Sequence, residues 1–237
     1  MALQQHIYCG YCLMTSHNTC FKVGILLRRC ALTDYLRGNM MAIVQGKLTY
    51  DAEGMEGGRY HSRVLHVPSG TSGLTIGRGY DMKEKKSSKI EADMLAAGVD
   101  AANAATLGKA AHLSGSAAKS FISDNNLGDF EISMDTQEKL FASIYAELSK
   151  DVQRICNKAD CVAAYGSVDW ANLDDKIKDV LVDLRFRGDY TGRTRRLMQR
   201  FAAKNDLASF AAELSNRDNW ASVPQDRFNR RVKYLNA

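Results

Sequence analysis

Four polar side chains within residues 51–82 could together carry out acid catalysis on a bound substrate. Glu53 and Glu56 each precede a glycine. Thr75 lies in a short apolar run, and Asp81 follows it by six positions, after two glycines. A carboxylic acid that is kept partly out of water holds its proton near neutral pH, and nearby polar groups can hold a water. The pattern therefore suits a general acid acting with a positioned water.

Each of these residues also has an ordinary explanation when it is taken alone. A glutamate at a helix end is usually a solvated charge, and a threonine is a common strand residue. An aspartate near glycines often shapes a turn. The case for chemistry depends on finding Glu53, Thr75 and Asp81 together around the string TIGRGYD.

The elements that must position these residues follow from the pattern of apolar side chains. Residues 39–52 have helical periodicity, and the helix should end at Gly54, which leaves Glu53 on its last turn. Residues 60–67 alternate in character and residues 74–77 are apolar, so we predict that these two segments form a hairpin. Such a hairpin would bring Thr75 towards the end of the helix.

The rest of the chain has helical periodicity. The predicted helices span residues 88–95, 101–111, 116–124, 135–157, 174–187, 193–203, 207–214 and 225–235. The segment 135–157 is the longest, and apolar side chains recur on one of its faces, which indicates a central core helix. The predicted fold class is α+β and predominantly α, with a small β-hairpin beside a helical lobe built on this long central helix.

The cysteines lie mainly in a separate N-terminal segment, residues 1–38, ahead of a domain spanning residues 39–237. The four cysteines of the segment are Cys9, Cys12, Cys20 and Cys30. A Cys-x-x-Cys pair is half of a zinc site, so a structural zinc, disulfides and free thiols all remain open. The segment could also be the tail of a longer parent protein. Cys156 and Cys161 straddle the end of the central helix, and their spacing suits a disulfide or two free thiols.

Charge and composition exclude several classes of protein. The chain has 237 residues and a formal net charge of +5, with arginines concentrated in residues 185–200 and 227–231. Such segments suit a solvated basic surface or an anionic polymer. We find no RNA-binding aromatic motif, no phosphate-binding loop and no serine nucleophile elbow, and we do not expect nucleic acid as a partner. No apolar run approaches the roughly 20 residues of a membrane span, and no export signal is visible.

The segment SGLTIGRGYDM resembles the catalytic strand of the phage-type and pesticin-like lysozyme family. In that family a glutamate at a helix end precedes a β-hairpin that carries Thr-Ile-Gly-x-Gly. In the pesticin-like branch an aspartate follows the threonine by six residues, as Asp81 follows Thr75. Two further segments, DLRFRGDYTGRTRRLMQR and DRFNRRVKYL, resemble the family's helix-Gly-helix and C-terminal segments more weakly. The resemblance covers residues 40–237.

This resemblance implies a muramidase that cleaves the β-1,4 bond between N-acetylmuramic acid and N-acetylglucosamine of peptidoglycan. The expected mechanism uses a general acid and a water and inverts the anomeric centre. Glu53 is the expected acid, although the second Glu-Gly pair leaves Glu56 as an alternative. Asp81 would activate the water and Thr75 would hold it. The residues expected to bind substrate are Tyr80, Arg78 and Arg187. No cofactor is expected for catalysis.

Because no export signal is visible, other means of delivery are expected. The chain could be a phage endolysin, or an antibacterial effector of a type VI secretion system that acts in the periplasm or at the cell wall of a target bacterium. A cognate immunity protein and a monomeric state are then expected. A lytic transglycosylase and a catalytically inactive module that binds wall glycan or a protein partner remain as alternatives.

Overall fold

A computed structural model describes residues 45–58 and 61–237, which form α-helices around one small antiparallel sheet. The helices are α1 Lys47–Ala52, α2 Ser87–Ala97, α3 Ala101–Gly108, α4 Gly115–Asp124, α5 Met134–Cys156, α6 Ala159–Tyr165, α7 Asp175–Phe186, α8 Gly192–Ala203, α9 Leu207–Ser215 and α10 Gln225–Asn236, with a 3-10 helix at Arg217–Trp220. The strands are β1 Thr75–Ile76 and β2 Tyr80–Asp81. The prediction of a predominantly α, α+β chain is confirmed. The cysteine segment, residues 1–38, and the zinc and disulfide predictions made for it lie outside the described residues.

Helix α5 is the longest helix in the described part of the chain. The Ser133 hydroxyl caps it by accepting the Thr136 N–H, so the helix begins one residue before the predicted Asp135. A serine suits this position because its short side chain can reach a free N–H group of the first turn. At about 1.5 Å per residue, α5 is long enough to run through most of a small domain.

Two hydrophobic clusters lie against α5 and divide its apolar residues between them. Leu140 and Ile144 belong to a cluster with the β-hairpin, α2, α3 and α4. Phe141 and Tyr145 belong to a second cluster with α1 and α7 to α10. Successive positions of a helix point about 100° apart, so one long helix can serve two cores at once. The first cluster is called the hairpin lobe below, and the second is called the helical lobe.

Helix α1 begins at Lys47, and not at the predicted residue 39, because Gly46 has a left-handed backbone with φ 75°. Residues 39–44 of the predicted helix lie outside the described residues. A Cβ atom on Gly46 would lie 2.6 Å from Tyr145 Cε2, so the backbone approaches that ring closely. The Gly46 N–H donates to Asp179 Oδ1 at 3.2 Å, which anchors the start of α1 to α7.

The β-hairpin pairs different segments from those predicted. Strand β1 pairs with β2 through the register Thr75↔Asp81, and not with a continuous strand at residues 60–67. That segment is described from His61 onward and makes isolated bridges, one of them between His66 and Thr75. The tight turn between the strands has positive φ at Gly77 and Gly79, which glycine adopts at little cost.

Three further features complete the description of the fold. Helix α6 and the 3-10 helix at Arg217–Trp220 were not predicted. Cys156 and Cys161, at the end of α5 and in α6, are buried free thiols rather than a disulfide. Among the described residues, no helix combines the length and the apolar character that crossing a membrane requires.

The packing of Gly46 gives a test of the fold. We expect Gly46→Ala to lower the free energy of unfolding by more than about 2 kcal/mol, because the new methyl group meets the Tyr145 ring and the left-handed backbone disfavours alanine. Gly57→Ala is the matched control: Gly57 also has φ 75°, but no atom lies within 4 Å of its Cβ position. Urea unfolding measures both. Equal losses would contradict the packing against Tyr145.

Candidate functional site

Glu53 is the first residue after α1, where the helix has ended but the chain still follows its last turn. Its backbone angles are φ −99° and ψ 10°, and its N–H points to the Tyr50 carbonyl at 3.4 Å. Gly54 follows, and a Cβ atom there would lie 2.9 Å from both Arg78 and Ser62. The chain must therefore turn at a glycine, and the Glu53 side chain, which is 19% exposed, is left at the edge of a cleft.

This cleft has a volume of about 470 Å³, within the usual range for small-ligand sites. Glu53 is the carboxylate among its lining residues, and the segment from His61 to Pro68 supplies most of the others. The lining residues are Glu53, Gly54, His61, Ser62, Val64, His66, Val67, Pro68 and Gly77. The cleft therefore combines one acid with two histidines and an apolar floor.

Arg227, on α10, holds the Glu53 carboxylate. Its Nη2 group donates to Glu53 Oε1 and to the Ala52 carbonyl oxygen, the second at 3.0 Å. Both side chains are mostly buried, at 15% and 19% exposed, so the pair is poorly screened by water. No hydrogen bond to Glu53 Oε2 is made by any described residue. One carboxylate oxygen is thus fixed, and the other remains free for a ligand in the cleft.

The Arg227 pair continues inward as a chain of buried charges. Asp183, on α7, lies 3.6 Å from Arg227 and accepts from Arg231 Nε at 2.6 Å. Arg231 also donates to Asp189 at 3.0 Å. Asp183 and Arg231 are each 1% exposed. A buried charge without a partner costs several kcal/mol, so these charges require one another.

Asp183 also fixes α1 directly, because the Thr49 hydroxyl donates to its Oδ1 at 3.0 Å. One turn earlier on α7, Asp179 accepts the Gly46 N–H and the hydroxyl groups of Tyr145 and Tyr234. Burial and the bond to Asp179 raise the pKa of the Tyr145 hydroxyl, which therefore stays a donor. The two aspartates hold both ends of α1, and with it Glu53.

Sequence reasoning missed these two aspartates. They lie four residues apart among Ile177, Val180, Leu181 and Leu184, which are buried. Residues four apart share one face of a helix. Two carboxylates on the apolar side of a helix lower the stability of the fold unless each has a partner. That spacing was the available signal for a buried polar network.

Glu56, the alternative acid, lies in a different environment from Glu53. Burial acts to raise the pKa of its carboxyl, but hydrogen bonds from Gln137, Arg63 and Arg78, together with the charge of Arg78, outweigh burial and lower the pKa. Its oxygens lie 2.7 Å from Gln137 Nε2, 2.9 Å from Arg63 Nε and 3.0 Å from Arg78 Nη2. Glu56 is not among the lining residues of the cleft. Both oxygens of Glu56 are thus engaged outside the cleft, whereas Glu53 lines the cleft and only its Oε1 is bonded by a described residue.

Thr75 and Asp81 are cross-strand partners, so their side chains lie on the same face of the sheet. Thr75 is buried, and its hydroxyl donates to the Gly73 carbonyl oxygen at 3.2 Å. The Asp81 carboxylate accepts the N–H groups of Gly73 at 3.3 Å and Lys83 at 2.8 Å. The structure brings the two residues together as predicted, but neither is among the residues that line the cleft.

Two of the three residues predicted to bind substrate are buried. Tyr80 is 1% exposed, and its hydroxyl donates to Asp93 at 2.7 Å within the hairpin lobe. Arg78 is 7% exposed and donates to the carbonyl oxygens of Tyr50 and Gly54 and to Glu56. The prediction that these two residues contact a substrate is therefore corrected. Tyr80 is a core residue, and Arg78 holds the turn that carries Glu53.

Arg187, the third predicted substrate-binding residue, follows α7 and is half-buried. Its Nη1 group lies 3.4 Å from Asp189, which is also the partner of Arg231. Arg187 is thus at the outer end of the chain of charges that reaches Glu53. In the part of the chain that the structure describes, no group of three or more His, Cys, Asp or Glu side chains could hold a metal ion. The predicted zinc ligands Cys9, Cys12, Cys20 and Cys30 lie outside that part.

A family model described as Domain of unknown function (DUF8812) matches residues 46–232. This range holds Glu53, the cleft and the buried charges of α7 and α10. A search of curated proteins finds no match.

The buried charges predict a large cost for removing Asp183. We expect Asp183→Asn to lower the free energy of unfolding by about 3 kcal/mol or more, because Arg231 loses its charged partner inside the protein. Asp135→Asn is the control, since it breaks an exposed pair with Lys139 and should cost less than about 1 kcal/mol. Urea unfolding followed by circular dichroism measures both. Similar costs for the two variants would contradict the dependence on buried charges.

Proposed function

We propose that this chain, which belongs to the family described as Domain of unknown function (DUF8812), is a peptidoglycan muramidase. It cleaves the β-1,4 bond between N-acetylmuramic acid and N-acetylglucosamine, with Glu53 as the proton donor. The observation that carries the proposal is the placement of Glu53, which Arg227 holds at the edge of a cleft facing the β-hairpin segment.

A lysozyme-like fold is part of this proposal. Its support is the order of elements: a helix ending at the acid, a small hairpin, and a helical lobe that shares the long helix α5. The TIGRGYD string supports the same assignment, because Thr75 and Asp81 face each other across the hairpin. The substrate class comes from the resemblance to the lysozyme family, and the position of the acid comes from the geometry.

The reaction requires a proton for the leaving oxygen and a water for the anomeric carbon. Glu53 Oε2 has no hydrogen bond from any described residue, so we assign the proton to that oxygen. Inversion requires the water on the opposite side of the sugar ring, held by a second group. Residues 61–68 form the wall of the cleft that would hold this water. This wall is joined to the hairpin through the pairing of His66 with Thr75, which in turn pairs with Asp81.

Delivery and partners follow from the substrate. A muramidase must reach the wall of a bacterium, either as a phage endolysin or as an antibacterial effector passed by a secretion system. A producing bacterium would need a cognate immunity protein against an effector. We propose that the chain acts as a monomer, because the acid, its arginine and the cleft all come from one chain.

Lytic transglycosylase activity is the second candidate. One observation favours it: the Asp81 carboxylate, which accepts the N–H groups of Gly73 and Lys83, is not among the residues that line the cleft, so it does not face the place of an activated water. A transglycosylase needs one acid and no activated water, and it leaves 1,6-anhydro products. The products of digestion distinguish the two activities.

Glu53→Gln tests the proposed acid. We expect a loss of about 100-fold or more in kcat, because glutamine cannot deliver a proton although it can still accept from Arg227. The measurement is a digest of purified peptidoglycan, with the products resolved by mass spectrometry. Wild type should release muropeptides with reducing ends, and anhydro-muropeptides would instead indicate the transglycosylase.

Glu56→Gln is the matched control for this experiment. It alters the neighbouring Glu-Gly pair and removes a carboxylate that is held in its ionised form, so we expect kcat to stay within about threefold of wild type. An active Glu53→Gln variant beside an inactive Glu56→Gln variant would move the acid to Glu56. Tight binding to glycan by wild type without any product would indicate the inactive binding module.

One exposed face of α8 suits an anionic wall. The cations on it recur every three or four residues, and none of them forms an ion pair with a described residue; they are Arg193, Arg196, Arg200 and Lys204. By contrast, the arginines near the cleft, Arg227 and Arg231, are paired inside the protein. We call these four residues the α8 stripe. We propose that the α8 stripe increases the local concentration of the protein at the wall by electrostatic attraction.

Neutralising the α8 stripe tests this attraction. We expect the triple variant Arg193→Gln, Arg196→Gln, Arg200→Gln to lose about tenfold in co-sedimentation with intact wall at low salt. Cleavage of small soluble glycan oligomers should not change. The control triple variant, Lys86→Gln, Lys109→Gln, Lys119→Gln, removes the same charge from exposed positions of the hairpin lobe. Equal losses in both triple variants would show that net charge alone matters.

A further inference from the structure

The cleft holds two histidines that none of the roles above uses, His61 and His66. His66 is half-buried and lines the same cleft as Glu53. We propose that His66 is the general base of the reaction, which takes the proton of the attacking water. This inference rests on the proposed muramidase activity and names the group on the water side of the cleft.

The backbone of His66 is fixed to the catalytic hairpin. Its N–H donates to the Thr75 carbonyl oxygen at 3.0 Å, and the Thr75 N–H donates to the His66 carbonyl oxygen at 2.9 Å. Directly opposed residues of antiparallel strands have their side chains on the same face. His66, Thr75 and Asp81 therefore form one row across three short segments, and His66 is the member of this row that lines the cleft.

A hydrogen bond fixes the tautomer of the neutral His66 ring. The Nδ1 atom lies 3.0 Å from the Val64 carbonyl oxygen, and a carbonyl can only accept, so Nδ1 carries the hydrogen. The lone pair of the neutral ring is then on Nε2, which receives no hydrogen bond from any described residue. A histidine held in this way by a backbone carbonyl presents a basic nitrogen in a fixed direction.

Neither of the nearby alternatives offers an unbonded basic atom inside the cleft, because both ring nitrogens of His61 are bonded and Asp81 does not line the cleft. The other histidine of the cleft, His61, accepts the Gly57 N–H at Nδ1 and donates from Nε2 to Glu131. Asp81 accepts the N–H groups of Gly73 and Lys83, and a Cβ atom on Gly73 would overlap its carboxylate. Asp81 is thus packed against the backbone. We assign it a positioning role, since it holds the strand that carries Thr75 and, through Thr75, His66.

The reaction balances with these two groups. The water oxygen forms a bond to the anomeric carbon while one water proton passes to His66 Nε2. The glycosidic C–O bond breaks, and the leaving oxygen takes the proton of Glu53. Afterwards the imidazolium of His66 releases its proton to solvent, and Glu53 takes up a proton from solvent. One water is consumed, and one new reducing end and one new non-reducing end are formed.

The test compares His66→Gln with wild type on soluble oligomers of alternating N-acetylglucosamine and N-acetylmuramic acid. Glutamine can still donate to the Val64 carbonyl but cannot take a proton. We expect kcat to fall about 100-fold while KM stays within about threefold. His112→Gln is the control, because His112 also places Nδ1 against a carbonyl, that of Lys83 at 3.1 Å, but is exposed and outside the cleft.

Azide gives a readout that a purely structural role would not produce. Azide attacks the anomeric carbon without losing a proton, so it needs no base. We expect sodium azide to restore turnover of His66→Ala and to give a glycosyl azide detectable by mass spectrometry. Azide should give no such product with Glu53→Gln, in which the leaving oxygen still lacks its proton.

Several outcomes would overturn the assignment. Retention of more than about a tenth of wild-type kcat by His66→Gln would do so. A change that appears only in KM would also overturn the assignment. Rescue by azide of Asp81→Asn but not of His66→Ala would overturn it as well. If the variants fail to fold, the imidazole nitrogen spectrum of ¹⁵N-labelled wild type decides, since a neutral His66 with its hydrogen on Nε2 contradicts the proposal. A wild type without any glycan cleavage would instead overturn the muramidase proposal, and this one with it.

Discussion

The position of Glu53 depends on one buried carboxylate, that of Asp183. Asp183 pairs with Arg231 and Arg227 on α10 and accepts the hydroxyl of Thr49 on α1. Because these groups are almost entirely out of water, each is costly without the others, and the set has one satisfactory arrangement. Helix α1, with six residues, is too short to be stable alone. Its direction, and the place where Glu53 emerges from it, are therefore set by charges on α7 and α10.

The two walls of the cleft come from different hydrophobic clusters. Glu53 follows α1, which packs in the helical lobe, whereas β1 belongs to the hairpin lobe. Helix α5 contributes to both clusters, and Gln137 on it connects the two walls. The Gln137 side chain accepts from Ser62 at 2.8 Å and donates to the Tyr50 hydroxyl at 3.1 Å. The width of the cleft is thus fixed by a rigid helix and a few polar contacts, and not by the hairpin alone.

Much of the fold was predictable from the sequence, because the helices from α2 to α10 bury regular apolar faces. Most of their bounds fall within a few residues of the predicted ones. Helix α6 was missed because its seven residues are too few for a clear period. The predicted pairing of residues 60–67 with residues 74–77 is limited to the bridge between His66 and Thr75, because the positive φ of Gly77 and Gly79 permits a tight turn through which β1 pairs with β2. Local periodicity cannot predict with which of two nearby segments a short strand will pair.

The site was less predictable than the fold. The sequence indicated Glu53, Thr75 and Asp81 through their spacing, and the structure brings Thr75 and Asp81 together. Arg78 and Tyr80 lie in the same string, yet they face the protein interior, and a short motif cannot tell which of its polar side chains is buried. Asp183 acts on the site through partners that are far away in the chain, Thr49 and Arg231. His66 is joined to Thr75 by a single backbone pairing. Such contacts leave no period in the sequence.

The pairing of Glu53 with Arg227 has a consequence for the order in which the protein is made. The two residues are 174 positions apart in the chain, and a ribosome releases the N-terminal part of a domain first. A nascent chain therefore carries its proposed acid long before it has the arginine that orients it. Truncation or proteolysis that removes α10 has the same effect as unfinished synthesis. The proposed lytic activity therefore arises only after residue 227 has been made and packed, which limits harm from incomplete chains inside the cell that makes the protein.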